Sequence, residues 1–133
     1  MNPEISLTLL RDTLAICRFE AGTDLPAWAQ KAGDFHSITR TSDEVSIVLP
    51  QKNIGNQEIS CERDWRALRV DGKLDFSLCG VLSSILDILK DASVPVFVIS
   101  TYDTDYVLVK EQEVTKTTAA LRKSFAVNKE QKQ

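Results

Sequence analysis

A single histidine, His36, and three cysteines, Cys17, Cys61 and Cys79, are nearly all that this 133-residue sequence offers for nucleophilic chemistry or soft metal ligation. An odd number of thiols with no C-x-x-C pair indicates neither a disulfide framework nor a zinc site. Cys17 and Cys61 fall in strand-like runs and read as ordinary buried thiols. His36, beside Phe35, reads as a structural residue. No Gly-rich phosphate loop and no Ser-His-Asp ordering is present. The sequence therefore predicts no enzyme, no cofactor and no metal; Asp103 and Asp105 share a face of an extended segment, but two carboxylates alone make a weak cation site. Basic excess is missing too. Lysine and arginine number 16 against 19 aspartates and glutamates, giving a net charge of -3 and a pI near 5.2, which argues against a nucleic-acid partner. No apolar run approaches the roughly 18 residues of a membrane span, and MNPEISLTLLRD lacks the basic region and cleavage site of a signal peptide. The expectation is a cytoplasmic protein with no membrane partner.

What is present is an ordinary globular composition, 43% hydrophobic and 26% charged, organised around residues 96–110. Val96–Ile99 and Tyr106–Val109 are apolar runs rich in β-branched and aromatic residues, as buried strands are. Between them lie Ser100, Thr101, Tyr102, Asp103, Thr104 and Asp105, each with a hydroxyl or a carboxylate. Unpartnered polar groups in a core would cost several kcal/mol, roughly, so this stretch is the exposed end of a hairpin.

The rest of the chain follows in order. Ile5–Leu10 and Leu14–Phe19 are strand-like around Arg11-Asp12, predicting an opening β-hairpin. Leu25–Lys31, with Pro26 at its start and Gly33 beyond its end, has room for about two helical turns. Strands are expected over Phe35–Arg40 and Glu44–Leu49, and again over Gln57–Glu62 and Trp65–Val70, with 50–56 a loop or stunted helix. The strongest helix begins at Asp75-Phe76-Ser77, where Asp75 or Ser77 is the expected N-cap. Its stripe of Leu78, Val81, Leu82, Ile85 and Leu89 has helical spacing. A last helix is read over Glu111–Lys123, acidic at its start and basic at its end, with Val114, Thr118 and Leu121 inward, followed by a short strand at Phe125–Val127.

The chain also repeats itself. An offset of 61 lays Glu44–Val48 on Asp105–Val109, and an offset of 51 lays Arg18-Phe19 on Arg69-Val70 and Asp24 on Asp75. The order strand, helix, strand, strand recurs, as in a tandem duplication whose first unit has shortened helices. The predicted fold class is α+β: two tandem ferredoxin-like units, with antiparallel sheets carrying their helices on one face. The expected division is 1–63, 64–128 and a polar tail at 129–133. In the second unit this fold brings the start of the Asp75–Leu78 helix near Ser100–Asp105. The helix N-terminus suits a carboxylate, and Asp105 or Asp75 suits an ammonium. Both signs within a short distance are what a free amino acid requires.

The runs LRVDGKLDFSLCGVLSSIL and VISTYDTDYVLV resemble the bacterial ACT-domain proteins of the CASTOR-like group. The most specific part is Ser100-Thr101-Tyr102 with Asp105 ahead of an apolar strand. The resemblance implies two ACT-like units in a regulatory protein that binds an amino acid at the interface between such units. It implies a pocket lined by Thr101, Tyr102, Asp105 and the loop Leu78, Cys79 and Gly80. With Asp75, Ser77 and Ser100 these are the candidate ligand-binding residues. The competing reading is an assembly module whose sheet edges or helices pair with another protein and bind no small molecule. ACT-like units pair through those same surfaces, which implies a homodimer.

Overall fold

A computed structural model of the chain describes residues 5–31, 33–72 and 80–130. Among the described residues eight strands and three helices follow in the order β1 (Ser6–Leu9), β2 (Leu14–Glu20), α1 (Ala27–Gln30), β3 (Ser37–Arg40), β4 (Glu44–Pro50), β5 (Ser60–Asp71), α2 (Val81–Asp91), β6 (Phe97–Ser100), β7 (Asp105–Lys110), α3 (Val114–Leu121) and β8 (Ala126–Lys129). Single 3-10 turns occupy Gln51–Asn53 and Glu111–Glu113. The elements form two units, one of residues 12–65 and the other of residues 1–11 with 66–133. In the division expected from the sequence, residues 1–11 went with the first unit; here they belong with the second.

In the unit of residues 12–65, β3, β4, β2 and the first half of β5 are successive neighbours, all antiparallel. Strand alternation turns Ala15 and Cys17 of β2 and Val45, Ile47 and Leu49 of β4 into one core, closed by Leu25, Ala29 and Ile54. The helix α1 has only four residues, with Pro26 at its N-cap, and Phe19 packs its ring against Trp28. His36 is structural, as expected: its Nε2 lies 2.8 Å from the Ala29 carbonyl.

In the other unit, β8, β1, β5, β7 and β6 are successive neighbours. Leu7, Leu9, Leu68, Val70, Val107, Val109 and Val127 point to one side, where Ile85 and Leu89 of α2 and Leu121 of α3 complete the core. Both helices thus lie on one face, the α+β arrangement read from the sequence. The sheet departs from a purely antiparallel one, because β1 enters between β5 and β8 and runs parallel to β8.

Four expectations are corrected. First, β1 and β2 make no hairpin. A two-residue turn needs positive φ at its central residues, which neither Arg11 nor Asp12 has. Instead the Leu10 N–H donates to the Ala67 carbonyl at 2.8 Å, and the Arg66 guanidinium donates to the Leu10 carbonyl at 2.7 Å, so the chain keeps to β5. Second, the two strands read at 57–62 and 65–70 are one 12-residue strand. Asp64, in the gap between those two runs, adopts φ 68° and exchanges two hydrogen bonds with the Gln51 amide, at 2.7 and 3.0 Å. The result is a local irregularity instead of a break. Third, α2 starts at Val81 with Gly80 as N-cap. Asp75 and Ser77, expected to cap it, lie outside the described residues. Gly80 has φ 104°, a conformation open to glycine and strained for other residues. Fourth, the helix expected over 111–123 is a 3-10 turn followed by the shorter α3.

Candidate functional site

The β6–β7 hairpin exists because two apolar strands flank a segment able to satisfy its own polar groups. Ser100 and Asp105 are the last register pair before the turn, and the Ser100 hydroxyl donates to Asp105 Oδ1 at 2.5 Å. Past that pair the Thr101 N–H donates to the Thr104 carbonyl at 2.8 Å. Thr101 Oγ1 donates to the same carbonyl and accepts the Thr104 N–H, at 3.1 and 3.3 Å. These bonds hold the turn in one shape. Tyr102 stands at its tip, 87% exposed.

Thr104, which the sequence did not single out, ties the hairpin to its neighbour: its hydroxyl donates to the Val70 carbonyl at 2.5 Å. The turn therefore sits beside the end of β5, where the chain leaves toward Gly72 and, eight residues on, Gly80. A polar group occupies the same strand end. The Asp71 carboxylate accepts from the Thr8 hydroxyl and, at 2.7 Å, from Arg69 Nε. That hydrogen bond to Asp71 raises the Arg69 guanidinium pKa. Arg69 and Asp71, two apart on a strand, share a face that the sequence could have revealed. Thr8 could not be added without knowing that β1 pairs with β5.

The structure thus brings Ser100, Thr101 and Asp105 together, with Tyr102 at the edge. Asp105 Oδ2 takes no hydrogen bond from the described residues. Gly80 opens α2 with no side-chain cap hydrogen bond, and among the described residues none beyond its own chain neighbours comes within 4 Å of where a Cβ would stand. Asp75, Ser77, Leu78 and Cys79 lie outside the described residues. Among the described residues no three or more His, Cys, Asp or Glu side chains gather as a metal site, and no helix is long and apolar enough to cross a membrane.

Comparison with known proteins agrees with this arrangement. The family model of the ACT domain matches residues 60–123, and a second model, of an N-terminal domain, matches residues 12–57. The Agrobacterium tumefaciens protein Atu0741 has a solved structure that superposes with a TM-score of 0.89 at 32% identity, covering 98% of this chain and 97% of that one. The regulatory subunit of aspartate kinase from Thermus thermophilus superposes with a TM-score of 0.61 at 11% identity, over 91% of this chain and 95% of that one, a likeness of fold. The human protein CASTOR3P is 27% identical over 105 residues, which cover 70% of this chain and 64% of that protein. The chain thus spans less than two thirds of that relative's length.

Proposed function

We infer that this chain, which belongs to the ACT-domain family, is a regulatory protein that holds a free amino acid at the polar end of its C-terminal unit and binds and releases it unchanged. The observation that carries this reading is the pairing of Ser100 with Asp105 at the mouth of a braced hairpin. One carboxylate oxygen is thereby fixed, and the other is left to meet an ammonium or a basic side chain. The start of α2 at Gly80, with its first-turn N–H groups uncapped by a side chain, suits the ligand's carboxylate. Asp75, Ser77, Leu78 and Cys79 are proposed with them as ligand-binding residues. The regulatory subunit with the same fold supports a sensing role. A homodimer is proposed with it, because among the described residues β6 pairs with β7 alone and β8 with β1 alone, edges at which a second copy could add a strand.

A thermal-shift screen against the twenty amino acids tests the reading. At a hundredfold excess over its dissociation constant, the true ligand adds roughly 2.7 kcal/mol of stability. Asp105→Asn then keeps the shape and removes the charge. Calorimetry should show affinity falling by about ten- to a hundredfold, the worth of a charge-assisted hydrogen bond, while the melting temperature without ligand hardly moves. A flat screen would sink the reading and favour an assembly module, and light scattering that finds a monomer at micromolar concentration removes the dimer.

A further inference from the structure

We propose that Cys17 and Cys61 form a reversible disulfide that fastens β2 to β5 within the unit of residues 12–65. Both are free thiols in the structure. They are register partners in the antiparallel β2–β5 pair, and their Sγ atoms lie 2.6 Å apart. Directly opposed residues in an antiparallel ladder have Cα atoms about 4.5–5.5 Å apart, inside the roughly 4.4–6.8 Å that a disulfide spans. No change of register or strand position is needed to close the bond. The sequence hides this pair, because 44 residues separate the two cysteines and only the strand register makes them neighbours.

The two thiols are not equivalent. Cys17 is 1% exposed, whereas Cys61 is only half-buried. Burial and the neighbouring Cys61 push the Cys17 thiol pKa up, so Cys61 is the thiol that meets an oxidant first. With glutathione disulfide as oxidant, the Cys61 thiolate attacks one sulfur, forms a mixed disulfide and expels one glutathione thiolate. That thiolate takes the Cys17 proton. The Cys17 thiolate then attacks Cys61 Sγ and expels the second glutathione, which is protonated by water. Two protein thiols are oxidised to one disulfide and one glutathione disulfide is reduced to two thiols.

The test uses the full wild-type chain, incubated with excess glutathione disulfide, alkylated with iodoacetamide and read by mass spectrometry. In the expected product Cys17 and Cys61 carry no alkyl label and have together lost about 2 Da, the two thiol hydrogens. Its proteolytic map contains a peptide pair joined through Cys17 and Cys61, and dithiothreitol reverses both signs. The oxidised chain should also melt at a higher temperature than the reduced one, and this difference should vanish in Cys61→Ser. The proposal is overturned if Cys17 and Cys61 both carry the alkyl label after oxidation. It is equally overturned if Cys61 stops at the glutathione adduct, or if the linked peptides run through Cys79.

Discussion

The β3–β4 and β6–β7 hairpins close in the same way and differ in what they carry. In the β3–β4 hairpin the Thr41 N–H donates to the Glu44 carbonyl at 2.9 Å, and Thr41 Oγ1 accepts the Asp43 and Glu44 N–H groups. In the β6–β7 hairpin Thr101 and Thr104 repeat this arrangement sixty residues later. The register pair just ahead of each turn is where they part: Arg40 with Val45 in one, Ser100 with Asp105 in the other. At the position of Asp105 the N-terminal hairpin has a buried valine. The register pair beside the turn thus holds a carboxylate in the β6–β7 hairpin and none in the β3–β4 hairpin, and this is the reason the ligand is proposed at the former. The helices differ in the same direction. α1 gives its core one fully buried side chain, Ala29, with Trp28 packed partly buried against it, while α2 and α3 give theirs Ile85, Leu89 and Leu121.

The largest effect expected from this contrast is on stability. Ile85 is fully buried between α2 and the sheet, and Ile85→Ala should cost roughly 2–5 kcal/mol in denaturant unfolding, the usual penalty for a large-to-small change in a core. In the unit of residues 12–65 the fully buried helix side chain among the described residues is the small Ala29. Ala29→Gly removes one methyl and some helix propensity, and should cost about 1 kcal/mol. Equal losses for the two variants would erase the difference between the units.

The stripe Val81, Leu82, Ile85 and Leu89 was legible in the sequence because helical periodicity is local, and so was the polar hairpin end between two apolar runs. The repeat was legible only in outline. Its offset of 61 for the hairpin strands is one residue too long: in the structure Ile47 and Leu49 occupy the core positions of Val107 and Val109, an offset of 60. A one-residue slip turns each strand inside out, and the residue types alone did not resist it. The insertion of β1 between β5 and β8 was hidden for another reason. Pairing between residues 6–9 and 126–129 leaves no trace in local composition. The continuity of β5 through Asp64 was hidden as well, because the bonds that hold Asp64 to Gln51 come from thirteen residues away.

A smaller effect sharpens the comparison of the hairpins. Thr41→Val and Thr101→Val each remove a hydroxyl that closes a turn, and each should cost about 0.5–1.5 kcal/mol. Their stability losses should match within a few tenths of a kcal/mol, roughly, since the geometry is the same. Their effects on ligand affinity should not: only Thr101→Val, beside Ser100 and Asp105, should weaken binding by calorimetry. Weaker binding in Thr41→Val would mean that the ligand does not discriminate between the two turns.

The smallest expected effect belongs to the N-terminal unit alone and depends on pH. Cys17 keeps its proton in the folded chain because burial and Cys61 disfavour the thiolate, so its folded pKa lies above the ordinary 9.0. A raised folded pKa means that the folded state binds more protons than the unfolded one once pH exceeds the unfolded value. Stability contributed by the protonated thiol is therefore complete below about pH 9 and declines as pH rises toward the folded pKa. Above 9.0 the loss grows by at most roughly 1.4 kcal/mol for each unit of pH. Urea unfolding between pH 8 and pH 10, with dithiothreitol present to keep both thiols reduced, should show this slope in the wild type and lose it in Cys17→Ala. Because the variant also loses packing, the slope and not the absolute stability is the quantity to compare. A slope that survives the substitution would assign the decline to another group and leave Cys17 no more perturbed than an exposed thiol.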